Sequence, residues 1–167
     1  MGDVIPSISP SMDIQISSNF ERAMFDAYDQ DGAAIANVMN ELKTNGGFAL
    51  SQGVMDALRE NFDSGRVSEA ETSAEITHSL AAHAELLCPH SAIGTQVADR
   101  LRDPNTPMIT LATAHPAKFP DAVEAATGIR PPLPPRMSDL FERDERVTRV
   151  DNNLDALKAI VKDRIAN

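Results

Sequence analysis

The sequence predicts a mainly α-helical fold that contains one short buried strand. Three observations support this prediction. Apolar residues recur along most of the chain at the three- to four-residue spacing of an amphipathic helix. Serine, glycine and proline stand where such helices begin and end. A single apolar run, residues 108–113, has the length and composition of a buried strand.

Two serine–glutamate pairs predict where helices begin. In each pair the glutamate follows the serine by three residues, the spacing of a capping box, in which both side chains accept hydrogen bonds from free N–H groups. Ser18 and Glu21 open the first predicted helix. Ser68 and Glu71 open a long helix that we expect to end near Leu87, before a proline. Both pairs are interpreted as structural.

Each predicted helix carries an apolar stripe that we expect to face the core. The residues expected to point inward are Ile16, Phe20, Ala23, Met24, Ala27, Ile35, Val38, Met39, Leu42, Val54, Met55, Leu58, Phe62, Ile76, Leu80, His83, Leu87, Ile93, Val97, Leu101, Phe119, Val123, Leu154, Leu157, Val161 and Ile165.

The chain is expected to form a single C-terminal segment over residues 1–167. Its parts are an extended lead-in (1–16), a helical region (17–102), a strand followed by a helix (107–128), and a proline-rich crossing with a C-terminal helix (129–167). The last helix of the helical region is expected over about 90–102, and the helix after the strand is expected to start at Pro116.

The formal net charge of −10 excludes some classes of partner. Binding to nucleic acid requires clustered Lys and Arg to neutralise phosphates, so we expect no nucleic-acid partner. The same charge argues against binding to an anionic membrane surface. An anionic small molecule remains an allowed ligand, because a local pocket can oppose the global charge.

Cysteine usage and the absence of targeting patterns predict a cytoplasmic protein. Cys88 is the single cysteine, which suits a reducing compartment. The first residues lack the basic and apolar regions of a signal peptide. No run approaches the ~18 apolar residues of a membrane-spanning helix, so no membrane partner is expected.

Several local motifs favour structural over functional interpretations. Glu75 and His78 have the spacing of a di-iron ligand pair, but such a site needs a second pair, so we expect a solvated helix face and no metal. His83 is interpreted as a partly buried histidine with a local acceptor. Residues 131–136 match a PxxP ligand but more simply form a stiff surface crossing. Cys88 is interpreted as a buried structural thiol.

The predicted strand lacks an obvious neighbour in the sequence. A lone strand would leave a full set of main-chain donors and acceptors without partners. We therefore expect that residues 108–113 belong to a larger sheet, and that the chain was cut from a larger protein.

Four segments resemble the C-terminal half of threonine synthases. They are, in the order expected for that family, residues 9–22 (SPSMDIQISSNFER), 62–65 (FDSG), 89–94 (PHSAIG) and 111–119 (LATAHPAKF). The resemblance covers roughly residues 1–145.

The resemblance implies part of a fold-type II pyridoxal-phosphate enzyme, an α/β fold. Members of that family are lyases of threonine biosynthesis, which convert O-phosphohomoserine and water to threonine and phosphate. Their Schiff-base lysine and their loop for the cofactor phosphate lie upstream of the residues present here. The resemblance therefore implies that pyridoxal phosphate and O-phosphohomoserine bind the complete enzyme, with the missing N-terminal part as partner. This chain alone is expected to be inactive and not to hold the cofactor stably.

Thr113 is the one residue that the resemblance places at the cofactor, with its hydroxyl against the pyridine nitrogen. Its position at the end of the predicted strand agrees with the rule that ligands lie outside strand C-termini. The alternative is that Thr113 caps the helix starting at Pro116. His115 lines the same crevice or merely ends the strand. Lys118 is not the Schiff-base lysine by resemblance, and whether it lines the pocket stays open. No residue of this chain is expected to be catalytic.

Two rival functions remain at this point. One is a non-catalytic binding or structural module built from the same segment. The other is a pyridoxal-phosphate enzyme of the same fold with another substrate. An upstream in-frame sequence that carries the cofactor lysine would identify a truncated enzyme, whereas a true start at Met1 would favour the module.

Overall fold

A computed structural model describes residues 4–166 of the chain. The described residues contain seven α-helices, so the prediction of a mainly helical fold is confirmed. The helices are α1 (Ser18–Ala27), α2 (Gly32–Asn45), α3 (Gln52–Arg59), α4 (Glu69–His83), α5 (Pro89–Leu101), α6 (Pro120–Thr127) and α7 (Leu154–Ala166). Short 3₁₀ helices span Pro10–Met12, Pro116–Lys118, Pro135–Met137 and Leu140–Glu142.

The chain divides into two compact units, Met1–Pro132 and Leu133–Asn167. The first unit holds two apolar clusters. Helices α4, α5 and α6 and the turn before α5 enclose Ile76, Leu87, Ala92 and Val123. Helices α1 and α2 enclose Met24, Ile35 and Val38.

One of the two predicted capping boxes is confirmed. The N–H of Glu71 donates to Ser68 Oγ at 3.3 Å, and the N–H of Ser68 donates to the Glu71 carboxylate at 2.8 Å. The box predicted at Ser18 is wrong. Ser17 is the cap of α1, and its hydroxyl accepts from the N–H of Phe20 at 3.4 Å. Two adjacent serines are equivalent cap candidates by type, and the helix uses the earlier one.

Helix α4 ends at His83 and not near Leu87 as predicted. Ala84 adopts the left-handed conformation, with φ of 54°, which ends the helix. The turn that follows carries Leu87 into the apolar cluster with Ile76. Leu87 is therefore buried as expected, but it lies in a loop and not in the helix. The early end of α4 was not predicted, because the sequence offers no glycine at that point.

The helix predicted from Pro116 consists of two pieces. Pro116 opens the 3₁₀ helix Pro116–Lys118, and α6 begins at Pro120. Phe119 separates them with φ of −130° and ψ of 55°. A residue that precedes proline avoids the helical conformation, so Pro120 interrupts the helix at Phe119 and then starts a new one.

The prediction of a buried strand at 108–113 is wrong for the described residues. These residues form no strand, and the described part of the chain contains no other strand for them to pair with. Ile109 and Leu111 are 83% and 75% exposed. A strand needs a neighbouring strand for its main-chain hydrogen bonds, and none is present in these residues.

The apolar stripe of α7 is also exposed, contrary to prediction. Leu154, Leu157, Val161 and Ile165 all lie at the surface. No residue of the described part of the second unit is buried, so this unit offers the stripe no core. Among the described residues, no helix is long and apolar enough to cross a membrane.

Candidate functional site

Thr113 lies on an irregular segment that passes the first turn of α5. Its N–H donates a hydrogen bond to Ser91 Oγ at 3.1 Å. The two hydroxyl oxygens, Thr113 Oγ1 and Ser91 Oγ, are 3.5 Å apart. Thr113 is exposed, whereas Ser91 is buried. Thr113 is therefore anchored to Ser91 through its main chain, while the residue as a whole is exposed.

The first turn of α5 supports this contact. Cys88 caps the helix, because its sulfur accepts from the N–H of Ser91 at 3.4 Å and lies 3.2 Å from Ser91 Oγ. Pro89 occupies the first helical position, where a missing N–H costs nothing. Cys88 is a free, fully buried thiol, so its predicted burial is confirmed. Ser91 was not singled out from the sequence, since a serine inside a helix carries no special signal.

A cleft of about 250 Å³ lies beside Thr113. The residues that line it are Glu85, Leu86, Leu87, Cys88, Ser91, Ala112, Ala114, His115 and Pro116. Its volume is below the roughly 300–1,000 Å³ of most ligand sites. These residues can therefore form one wall of a cofactor site but not a complete pocket.

His115 lines this cleft and also caps the 3₁₀ helix that follows it. Its Nδ1 accepts from the N–H of Ala117 at 3.1 Å, which leaves Nε2 as the free ring nitrogen. The cap is His115 and not Thr113, so the alternative that Thr113 merely caps the helix at Pro116 is wrong. The Thr113 hydroxyl is not used by this helix.

Lys118 is not among the residues that line the cleft at Thr113. Its ammonium group lies 5.7 Å from the centre of the Phe119 ring, a cation–π arrangement. The Phe119 ring in turn packs on the His90 ring at a tilt of 46°, with 4.5 Å between the ring centres. Lys118 thus belongs to an aromatic cluster around His90.

His90 fastens the lead-in segment to the start of α5. Its Nε2 accepts from the N–H of Ser11 at 3.1 Å, and the ring is buried. Burial lowers the pKa of His90 below its usual value, the positive charge of Lys118 lowers it further, and Asp13 opposes both. A neutral ring is what this contact needs, because a protonated Nε2 could not accept. The other nitrogen, Nδ1, is buried without a partner in the described residues.

Asp13 organises the lead-in itself. Its carboxylate accepts from the N–H and from the hydroxyl of Ser7, each at 2.7 Å. The N–H of Ile8 donates to Glu69 at 3.1 Å, which ties the same segment to the start of α4. The lead-in is therefore folded over α4 and α5 by polar contacts.

Two residues of α4, Glu75 and His83, differ from prediction in how exposed they are. Glu75 is buried and accepts from the Thr95 hydroxyl at 2.9 Å, so the prediction of a solvated face is wrong for this residue. His83 is exposed and meets His78 edge to face at 5.9 Å, so its prediction as partly buried is also wrong. Within residues 4–166, no group of three or more His, Cys, Asp or Glu could hold a metal ion.

A larger groove of about 550 Å³ lies between α1 and α3. Its walls include Phe20, Met55, Leu58 and Phe62. Phe20 and Phe62 were predicted to be inward, but they are 46% and 61% exposed here. The groove is mainly apolar and shares no lining residue with the cleft beside Thr113, so it is not the candidate cofactor site.

The described geometry can be compared with known proteins. A family profile described as "Threonine synthase, C-terminal" matches residues 91–161. A threonine synthase of Pseudomonas aeruginosa is 44% identical over 158 residues, which are 93% of this chain and 34% of that protein. The chain belongs to the threonine synthase family and matches the C-terminal part of its members. The resemblance seen in the sequence is confirmed.

Two solved threonine synthases share the fold. A pyridoxal-phosphate-bound threonine synthase from Brucella melitensis matches 98% of this chain and 35% of its own, with a TM-score of 0.84 and 47% identity. Threonine synthase from yeast matches 99% of this chain and 38% of its own, with a TM-score of 0.75 and 30% identity. The chain thus spans about a third of the length of the threonine synthases it matches.

Proposed function

We propose that the chain forms the C-terminal third of a threonine synthase, which converts O-phosphohomoserine and water to threonine and phosphate with pyridoxal phosphate as cofactor. One observation carries this proposal: the chain matches the pyridoxal-phosphate-bound Brucella melitensis enzyme over 98% of its length with 47% identity. The free, buried thiol of Cys88 is compatible with the reducing cytoplasm as the site of action.

Thr113 is the residue proposed to meet the cofactor. Pyridoxal phosphate, when bound, supplies an electron sink for carbanion chemistry. The Thr113 hydroxyl can donate one hydrogen bond to a pyridine nitrogen, or accept one from its protonated form. It carries no fixed charge, unlike an aspartate, so it would not strongly favour the protonated ring. The residues present fit this role, because Thr113 is exposed and lies between Ala112 and Ala114, which line the cleft together with His115.

The remaining two thirds of the enzyme are proposed to cover residues 108–112. Ile109 and Leu111 are exposed here although their composition suits a buried strand. Paired with strands from the upstream part, they would gain both main-chain partners and burial. The lysine that binds the cofactor covalently is proposed to lie in that upstream part, as the family resemblance implies.

The 167 residues alone are accordingly proposed to be inactive. Incubation with pyridoxal phosphate, reduction with borohydride and mass spectrometry test this. We expect no stoichiometric labelling of a lysine and no threonine from O-phosphohomoserine. Stoichiometric labelling of Lys118 would contradict the proposal.

A chimaera tests the function directly. The 167 residues replace the matching C-terminal part of the Pseudomonas aeruginosa enzyme, and threonine and phosphate are measured with O-phosphohomoserine as substrate. We expect both products in equal amounts, with the parent enzyme as reference and the enzyme truncated before this segment as the inactive control. A folded, cofactor-loaded chimaera that releases phosphate without threonine would indicate another reaction. One that does neither would favour a non-catalytic module.

A further inference from the structure

Ser91 joins the helix α5 to the segment that carries Thr113. It is 2% exposed, and its hydroxyl lies within 3.5 Å of three groups: the Thr113 N–H at 3.1 Å, the Cys88 sulfur at 3.2 Å and the Thr113 hydroxyl at 3.5 Å. Ser91 is therefore in contact with both the main chain and the side chain of Thr113.

One side of this contact lies in a buried helical turn, and the other side does not. Ser91 sits in the first turn of α5, between Pro89 and Ala92, and all three residues are buried. Its own N–H is held by the Cys88 sulfur at 3.4 Å. Thr113 lies on a segment without helix or strand among the described residues. The buried helical turn is thus the side of the contact that can fix the position of Thr113.

The hydrogen-bonding capacity of Ser91 shows what it can transmit. A serine hydroxyl offers one proton and two acceptor positions. The Thr113 N–H occupies one acceptor position. A thiol is only a weak donor and acceptor, so Cys88 competes poorly for the rest. The Thr113 hydroxyl is then the remaining strong partner, at the longer distance of 3.5 Å.

We propose that Ser91 is a positioning residue that fixes where the Thr113 hydroxyl points and which hydrogen-bonding role it can offer beside the cleft. This inference rests on the proposed function, in which Thr113 meets the pyridine nitrogen of pyridoxal phosphate. In this proposal Ser91, which is 2% exposed, acts through Thr113 and not by direct contact with the cofactor. Loss of the Ser91 hydroxyl removes the main-chain anchor of Thr113 and the neighbour of its side-chain oxygen together.

The experiment uses the complete enzyme that contains these residues, loaded with pyridoxal phosphate. Four variants are compared with the parent: Thr113→Val, Ser91→Ala, Ser91→Cys and Ser79→Ala. Thr113→Val removes the hydroxyl but keeps the N–H. Ser79 is the matched control, since it is another buried serine and lies on α4, and it is not among the residues lining the cleft.

Two measurements are made on each variant, and neither is catalytic activity. The first is the pH midpoint of the absorption band of the bound cofactor, which a merely structural role of Ser91 would not move. The second is hydrogen exchange at the Thr113 amide. Loss of one neutral hydrogen bond should accelerate that exchange by roughly threefold to tenfold in Ser91→Ala.

We expect Thr113→Val and Ser91→Ala to move the pH midpoint in the same direction, with Ser91→Cys intermediate and Ser79→Ala unchanged. If Ser91→Ala does not fold, Ser91→Cys gives the same test with a smaller expected shift of the pH midpoint. A shift in Thr113→Val without one in the Ser91 variants overturns this inference but leaves the proposed role of Thr113. A shift in the Ser91 variants alone also overturns it, since Ser91 would not act through Thr113. No shift in any variant removes both the assignment of Thr113 and the inference built on it.

Discussion

Two neighbouring parts of the first unit differ in the extent to which other residues of this chain bury them. Residues 88–92, at the start of α5, are all buried, and Cys88 and Ala92 are 0% exposed. Residues 108–111 pass close to the same helix, yet Ile109 and Leu111 lie almost entirely at the surface. Both parts lie within segments that are mostly apolar in sequence, so composition does not explain the difference.

The difference lies in where their partners come from. The turn at 88–92 finds its partners in α4, α6 and the lead-in, all within these residues. Residues 108–111 find packing partners on one side only, at α5. A Cβ on Gly94 would lie 3.1 Å from the Thr110 methyl group, so the segment packs tightly against α5 there. Its other side is left for the remaining two thirds of the enzyme, by the proposal above.

The largest effect should separate the two parts by one matched pair of substitutions. Ile76→Ala should lower the free energy of unfolding of the 167-residue chain by about 2–5 kcal/mol, because Ile76 is completely buried. Ile109→Ala should change it by less than about 0.5 kcal/mol, because Ile109 is 83% exposed. Chemical denaturation measures both.

The same pair sharpens the comparison in the complete enzyme. There Ile109→Ala should become costly, on the order of 2–5 kcal/mol, because the upstream part is proposed to cover it. Ile76→Ala should keep its cost. If Ile109→Ala stays neutral in the complete enzyme, residues 108–111 are not covered and the proposed docking is wrong.

A smaller effect is expected where the loop before α4 packs on α5. A Cβ on Gly65 would lie 2.8 Å from a Val97 methyl group. Val97 is β-branched and stiff, so Gly65→Ala should cost about 1–3 kcal/mol of unfolding free energy. Gly53→Ala is the control, since a Cβ there meets nothing within 4 Å.

The sign should reverse at the control position. Gly53 is in α3, where alanine is the better helix former, so Gly53→Ala should stabilise by up to about 1 kcal/mol. Thermal or chemical unfolding gives both values. Equal effects at the two glycines would mean that the Gly65–Val97 contact is absent in solution.

Substitution of Thr113 should affect catalysis more modestly. Thr113→Ala in the complete enzyme should lose about 0.5–1.5 kcal/mol of hydrogen bonding. Turnover should then fall by up to roughly tenfold. Thr113→Ser should be tolerated, and Thr113→Asp should change the pH dependence of the cofactor absorption most. Steady-state rates and spectra measure these effects. Wild-type rates and spectra in both the Ala and the Asp variant would refute the assignment.

The smallest effect concerns pH and the lead-in. The pKa of His90 is lowered by burial, so the unfolded chain binds a proton at higher pH than the folded chain does. Stability from His90 is therefore fully present above about pH 6.5 and is lost as pH falls towards the lowered folded value. His90→Gln keeps an acceptor near Nε2 but cannot titrate.

Unfolding of the 167-residue chain at about pH 7 and about pH 5.5 tests this, since carboxylates contribute little in that window. The loss of stability over this interval should be smaller in His90→Gln than in the parent chain. An identical loss in the two proteins would exclude His90 as its source.

Local signals predicted much of the helical fold. The left-handed glycine caps at Gly46 and Gly128 and the capping box at Ser68 arise from neighbouring residues, so the sequence alone contains them. Errors arose where two local signals compete. Ser17 competes with Ser18 for one cap, and Pro120 overrides the helix that Pro116 would start.

Burial was predicted less well, because it depends on distant partners. An apolar run such as 108–113 shows that burial is favourable but not which chain provides it. The candidate site depended on family resemblance for Thr113. Ser91 and His90 were not identified, since their roles come from contacts with Thr113 and Ser11, at 22 and 79 residues' separation.

The contact between Thr113 and the cofactor is the central claim, and a crystal structure of the complete enzyme with pyridoxal phosphate measures it most directly. We predict that Thr113 Oγ1 lies within about 2.7–3.2 Å of the pyridine nitrogen, with Ser91 Oγ still bonded to the Thr113 N–H. A pyridine nitrogen bonded to another residue, with the Thr113 hydroxyl turned away from the ring, would contradict the account.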